Sequence, residues 1–346
     1  MNYSIRTCAL ANRQTQRGLS LVELMISITI GLLILSSMAT LFSNQSKTRS
    51  ELDKSNRMID NGRYALDVLS ENLRVAGFYG ELDPSSTALP ASITDPCSTT
   101  PADMAGAIRL HVGGYNAATA SSAIASPPCG LTSASLKAGS DILVLRRADT
   151  SDPIAQGSAT DGIHYIQVSN CQYEVGTPFI IANAAASFNL SQRNCTAANN
   201  APFANVRRFI VQTYFVSPNN NGSDGIPTLK RRELDPAGTG AFVTTPLVEG
   251  IEYLQVEYGQ DTNNDGVADS YAQTCADVTC WSNIVSVKLN IIARNTETTA
   301  SYTDAKTYSL GLAGSYTPAG GDRNYKRHAY TQVVRLVNPA SRRESP

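Results

Sequence analysis

The sequence predicts an α+β fold: a long N-terminal α-helix, with a first half suited to a membrane, packed on an antiparallel, β-rich head. Three observations predict it. Residues 24–42 carry no charge. Apolar residues then recur at helical spacing among charged ones as far as Gly77. From Phe78 onward, short alternating segments separated by turn residues replace that pattern.

The chain opens on a basic, polar stretch. Residues 1–18 hold Arg6, Arg13 and Arg17 and no acid. The 19 uncharged positions Leu24 to Phe42 follow. At helical rise they span about 28 Å, close to the hydrocarbon thickness of a bilayer. The preceding arginines orient such a segment with its C-terminal side outward. Formal charge for the whole chain is −1, from 28 basic and 29 acidic residues. Without residues 1–18 it becomes 25 − 29 = −4. A mildly acidic body exerts no general attraction on nucleic acid.

One residue breaks the apolar run Leu19–Phe42. Glu23 follows Leu19, Ser20, Leu21 and Val22, and a carboxylate at that depth costs on the order of 3 kcal/mol. Such a charge needs a partner. Cleavage after Gly18 would supply one, because the new α-amino group at Leu19 is a cation suited to Glu23 of a neighbouring subunit. That pairing would set axial register in a helix-packed fibre.

A helical pattern continues through Leu52, Ile59, Leu66, Leu69 and Leu73, with Lys47, Arg49, Glu51, Asp53, Lys54, Arg57 and Asp60 interleaved. No proline occurs before Pro84, and Gly77 supplies a stop. One helix from about Leu19 to Ala76 is therefore expected, apolar all round in its first half and amphipathic in its second. Gly31 and Gly62 mark bends or close approaches. Candidate strands are Asp141–Arg147, Ile163–Val168, Phe179–Ala182, Val206–Val216, Thr228–Leu234, Leu247–Tyr258, Asn283–Arg294, Thr307–Leu312 and Arg327–Val337. Residues 79–135 read as loop. The expected boundaries are a leader at 1–18, a helix at 19–77 with its membrane or core part at 19–42, and a head at 78–346.

Seven cysteines are present. Cys8 falls in the leader. Cys97, Cys129, Cys171, Cys195, Cys275 and Cys280 form an even set in turn-rich stretches, which in an exported chain reads as three disulfides. Their pairing is open on sequence grounds; the local one, Cys97–Cys129, Cys171–Cys195 and Cys275–Cys280, is the expectation.

Arg17-Gly18-Leu19-Ser20-Leu21-Val22-Glu23-Leu24 resembles the class III signal of type IV prepilins. The resemblance implies cleavage after Gly18 by a prepilin peptidase, N-methylation of Leu19 and an assembly role for Glu23. The first residue after the cut is Leu19, where the family usually has Phe. The blocks Asn61–Leu66, Arg74–Phe78, Gly139–Leu143, Leu229–Arg232, Leu247–Val256 with Tyr258-Gly259, and Val333–Asn338 are similar to the minor pilin family PilW. What this implies is a structural subunit that helps initiate a type IV pilus with other minor pilins and the major pilin. It would be stored in the inner membrane with its head in the periplasm, engage the assembly platform, and end in an extracellular pilus. A minor pseudopilin of a type II secretion system shares the processing signal. A secreted adhesin or enzyme with an ordinary signal peptide is the alternative of another class.

Asp261-Thr262-Asn263-Asn264-Asp265-Gly266-Val267-Ala268-Asp269 is the strongest site candidate. Asp261, Asn263, Asp265 and Asp269 with the Val267 carbonyl offer oxygens to calcium. The acidic twelfth position of an EF-hand is Ala272, and a polar Asx-type turn uses the same residues. Catalysis is not expected. His111, His164 and His328 fall in no catalytic motif, and Gly238-Thr239-Gly240 is too short for a dinucleotide loop. The arginine pairs at 146–147, 207–208, 231–232 and 342–343 read as solvated faces rather than a nucleic-acid interface.

N-terminal mass analysis of the exported protein separates these readings. A prepilin signal gives a chain beginning at Leu19, methylated; an ordinary signal peptide cut after Ser37-Met38-Ala39 gives one beginning at Thr40.

Overall fold

The structure, a computed structural model, describes residues 18–93, 95–174, 176 and 178–344. The leader before Gly18, with Cys8 and its three arginines, lies outside the described residues. The chain divides into one unit ending at Asp53 and another beginning at Lys54.

Helix α1 runs from Leu21 to Arg74. In the first unit its residues are exposed, save half-exposed Gly31 and Glu51. In the second unit Met58, Gly62, Ala65, Leu66, Leu69 and Leu73 are buried. Their spacing of three and four lays one stripe on the head. Gly62 belongs to that stripe for a steric reason. A Cβ there would sit 2.2 Å from the ring of Tyr330, and the Tyr330 hydroxyl donates to the Ile59 carbonyl at 3.1 Å. Of the two roles open to Gly62, the structure shows the close approach. Gly77 ends the helical path at φ +71°, its N–H donating to the Arg146 carbonyl at 2.9 Å.

The remaining elements are α2 (Pro101–Gly106), β1 (Val112–Tyr115), β2 (Ile142–Ala148), β3 (Tyr165–Val168), β4 (Phe179–Ala182), β5 (Val206–Ser217), β6 (Thr228–Leu234), β7 (Phe242–Glu249), β8 (Ile251–Gln260), β9 (Ser270–Ala272), α3 (Val278–Ser282), β10 (Ile284–Arg294), β11 (Tyr308–Ser309), β12 (Ser315–Tyr316), β13 (Arg327–Arg335) and α4 (Val337–Glu344). A seven-stranded sheet runs β1-β2-β5-β3-β4, with β6 and then β7 added beside β5. A four-stranded sheet runs β13-β10-β8-β9. Every strand pairing is antiparallel.

Alternation along β10 explains the core. Val287, Leu289, Ile291 and Ala293 join Leu66, Leu69 and Leu73 of α1, Leu254 and Val256 of β8, and Leu143 and Leu145 of β2 in one cluster. Each fully buried leucine contributes about 1.5–3 kcal/mol. The opposite face of β10 carries Lys288 and Asn290, which donate to Glu257 at 3.1 and 3.0 Å.

Three expected stretches differ in the structure. The segment Leu247–Tyr258 is divided between two sheets, the end of β7 in the seven-stranded one and β8 in the four-stranded one, because Gly250 turns the chain at φ +75° and a Cβ there would meet the Arg294 carbonyl at 2.6 Å. The strand expected to reach Val337 stops at Arg335, and α4 follows with Pro339 in its first turn, where a missing N–H costs nothing. The stretch 79–135, expected as loop, holds α2 and edge strand β1. Disulfides join Cys97 to Cys129, Cys171 to Cys195 and Cys275 to Cys280.

A buried ion network fastens β13 to β8. Arg327 donates to both oxygens of Glu252 at 2.6 and 3.0 Å, and to Asp304 at 3.3 Å. Tyr308 donates to the same Asp304 at 2.9 Å. The three charged side chains are at most 1% exposed. Burial alone would lower the Arg327 pKa; the Glu252 carboxylate outweighs it and holds the guanidinium charged. Arg327→Ala leaves two carboxylates buried beside each other. It is expected to lose about 3–5 kcal/mol of stability, read from the urea midpoint of the full chain; a loss below about 1 kcal/mol would remove the network's structural role.

Candidate functional site

The processing and assembly residues sit at the start of α1. Gly18 and Leu19 precede the helix and are exposed, with Leu19 at 76%. Ser20 caps the helix: its hydroxyl oxygen accepts the Val22 N–H at 3.2 Å and its carbonyl accepts the Leu24 N–H at 3.1 Å. Glu23 reaches back, Oε2 accepting the Ser20 N–H at 3.0 Å. The two bonds make a reciprocal N-cap, with a carboxylate favoured at the helix N-terminus. The pattern Ser-x-x-Glu ahead of an apolar run at positions 20 and 23 is its sequence signal.

Beyond Glu23 the helix surface is hydrocarbon. Leu32, Leu33, Leu35, Met38, Leu41 and Phe42 are all 60% or more exposed. An apolar surface of that extent needs lipid or protein around it. Three of the hydroxyls within it bond to their own helix: Ser27 donates to the Glu23 carbonyl at 2.7 Å, Thr29 to Ile26 at 2.8 Å and Thr40 to Ser37 at 2.8 Å. Glu23 is the one charged group of the stretch and the one for which an external partner matters most.

The Asp-rich loop follows β8. Asp261 is completely buried. One of its carboxylate oxygens accepts the N–H groups of Asn264 and Asp265 at 2.7 and 3.3 Å, and the other accepts that of Gly266 at 3.0 Å. Asp265 accepts from Val267 N–H at 2.8 Å and from Asn263 Nδ2 at 3.0 Å. Asp269 accepts from the N–H and hydroxyl of Thr262 at 2.7 and 2.6 Å, bonds that hold its pKa below the usual range. A cation already enters the loop. The Arg343 guanidinium of α4 lies 3.4 Å from the Asp261 carboxylate and donates to its carbonyl at 3.2 Å, to Asn264 Oδ1 at 2.7 Å and to Ser282 and Asn283. Gly266 leaves room for α4, since a Cβ there would meet the Ala340 carbonyl at 2.7 Å. The loop's oxygens are thus engaged by its own N–H groups and by α4. They fit an Asx-type turn latched by an arginine. That residue is far off in sequence, and the loop's own residues gave no sign of it.

Other residues depart from expectation. His111 and His164 are buried. His111 faces the Ile284 carbonyl at 2.7 Å and the Arg109 carbonyl at 3.1 Å, and burial pushes its pKa down to about 4. His164 faces the Thr99 carbonyl at 2.9 Å. The arginine pairs do not form one solvated face: Arg146 is buried, and Arg342 donates to the Gly77 carbonyl at 2.7 Å. Asp95 approaches Cys97 and Cys129, but the sulfurs are bonded to each other and the carboxylate accepts both cysteine N–H groups.

The comparisons with known proteins agree with this geometry. Residues 13–39 match the prokaryotic N-terminal methylation motif. Residues 213–338, from within β5 into α4, match type IV pilus-assembly protein W. The chain thus carries a type IV pilin-like N-terminal motif ahead of a head segment similar to type IV pilus-assembly protein W. No curated protein matches it. Among solved structures it is similar to a type IV-like pilin from Thermus thermophilus, at 10% identity and a TM-score of 0.35, over 82% of this chain and 97% of that one; so loose an overlap carries no argument.

Millimolar calcium or a chelator is expected to leave the melting temperature of the head unchanged, whereas Arg343→Ala lowers it by several degrees, about 1–2 kcal/mol for a set of lost charge-assisted bonds. A calcium-dependent rise in the unsubstituted chain would show a metal site.

Proposed function

We propose that this protein is a structural minor subunit of a type IV pilus, cut after Gly18 and drawn into a priming complex at the fibre tip with other minor pilins and the major pilin. A prepilin peptidase supplies the cut and the methyl group on Leu19. Before assembly the chain is a single-pass inner-membrane protein with its head on the periplasmic side. After assembly it is part of the extracellular pilus, supporting twitching motility, adhesion or DNA uptake through the fibre. The head carries out no catalysis, takes no metal in the loop 261–269, and does not itself bind nucleic acid.

One observation carries the reading. Glu23 is the sole charge in an exposed hydrocarbon surface, a helical turn from the bond that processing opens. In the uncut chain its carboxylate is held by the Ser20 N–H. Cutting creates an ammonium at Leu19. The two can neutralise one another within a chain in the bilayer, then exchange partners between neighbouring chains in the fibre. A favourable exchange needs only that the fibre core present both groups at one level, since an unpaired charge there costs on the order of 3 kcal/mol. The PilW-family head favours a pilus over a secretion pseudopilus.

Glu23→Val tests this. The variant is expected to be processed and to keep a folded, disulfide-bonded head in the membrane while its recovery in sheared pili falls at least about ten-fold, the ratio that 1.4 kcal/mol commands. Unchanged recovery would remove the register role.

A further inference from the structure

We infer that the groove beside strand β1 takes an extended peptide segment that carries a carboxylate. The groove encloses about 500 Å³. Leu110, Val112, Tyr115, Ile124 and Trp281 give it apolar walls, and Arg146 lines it with them.

Three features select the occupant. The first is an open strand edge. β1 pairs with β2 on one side only. The Arg146 N–H donates to the His111 carbonyl at 2.9 Å, which fixes the alternation: Gly113 and Tyr115 bond across to Val144 and Ile142, while Val112 and Gly114 turn their N–H and C=O groups the other way. Both residues line the groove, and those groups make no hydrogen bond among the described residues. Val112 is fully buried, and buried backbone donors and acceptors are rarely left so. Gly114 is fixed as glycine, because a Cβ would lie 1.8 Å from the Tyr258 hydroxyl.

The second feature is a buried cation. Arg146 is 4% exposed. Its Nη1 donates to the Leu110 carbonyl at 2.8 Å. No carboxylate stands within ion-pair distance of it among the described residues, Asp95 acting only at longer range. A guanidinium held away from water without a counter-ion is costly, and a bidentate carboxylate is the group that matches its fork. The third feature is the Asn116 Oδ1, buried on the groove lining without a donor.

A peptide strand answers all three. Its backbone continues the sheet at Val112 and Gly114, alternate apolar side chains fill the walls, and a terminal or side-chain carboxylate meets Arg146. A fatty acid would satisfy the walls and the arginine but leave the strand edge and Asn116 unanswered. The inference does not depend on the pilus reading, and its test uses no other pilus component.

The experiment measures fluorescence anisotropy with the full chain in lipid nanodiscs. The probes are a short fluorescein-tagged peptide of alternating valine and threonine with a free C-terminal carboxylate, its amidated twin, and a twin N-methylated at alternate residues. The free acid is expected to bind at least about ten-fold tighter than the amide, and N-methylation to abolish binding. Arg146→Met should erase the preference for the acid. Ile93→Glu, an exposed position on the groove whose substitution leaves the core untouched, should weaken the acid about ten-fold even if Arg146→Met fails to fold. Absence of binding at millimolar chain, equal binding of acid and amide, binding indifferent to N-methylation, or unchanged acid binding in Ile93→Glu would each overturn the proposal.

Discussion

A carboxylate in hydrocarbon must find a cation, and the first fifth of this chain is arranged around that demand. Glu23 is the one charge in a stretch of apolar residues and a few hydroxyls, several of them bonded within their own helix. Its cost of about 3 kcal/mol is small beside the gain from burying an apolar span, so the helix can enter a membrane. The cost is nonetheless large enough to penalise a fibre in which Glu23 lands at the wrong level. The reciprocal cap with Ser20 shows how the charge is kept satisfied in the uncut chain. Processing places a competing donor one residue earlier.

The head answers a different constraint. Its sheets hold α1 through close apolar contact at Leu66, Leu69, Leu73 and Gly62, and they fix their own edges with buried charge. Arg327 between Glu252 and Asp304, Lys288 with Asn290 on Glu257, and Arg343 on Asp261 each join segments distant in sequence. Such groups contribute less net stability than their Coulomb attraction suggests, but each is costly to disrupt on one side only. The disulfides tether stretches poor in regular structure, above all the one ahead of β2.

Much of the architecture was legible because it is local. Helix α1 follows from spacing, the absence of proline and a terminal glycine; β10 follows from Val285, Val287, Leu289 and Ile291 in alternation. What escaped the sequence is set by partners far along the chain. Gly113 and Gly114 disguise β1 as loop, although the glycine at 114 answers to Tyr258. Gly250 lies between residues that read as strand on both sides, so its turn is invisible until Arg294 closes on it. The oxygens of residues 261–269 were legible as ligands, yet their occupant is an arginine of α4. Charge pattern alone could not separate buried Arg146 and His111 from surface groups, because burial is a property of the packed sheets.

The central claim is a contact between the Glu23 carboxylate of one subunit and the trimmed amino end of another. Zero-length carbodiimide coupling of assembled, detergent-extracted pilus complexes, followed by peptide mass spectrometry, reads that contact directly. The account predicts an amide joining the Glu23-containing peptide of this chain to the N-terminal peptide of a neighbouring pilin. A Glu23 peptide recovered unlinked, or joined only to its own amino terminus, while other intersubunit couplings form in the same sample would contradict it.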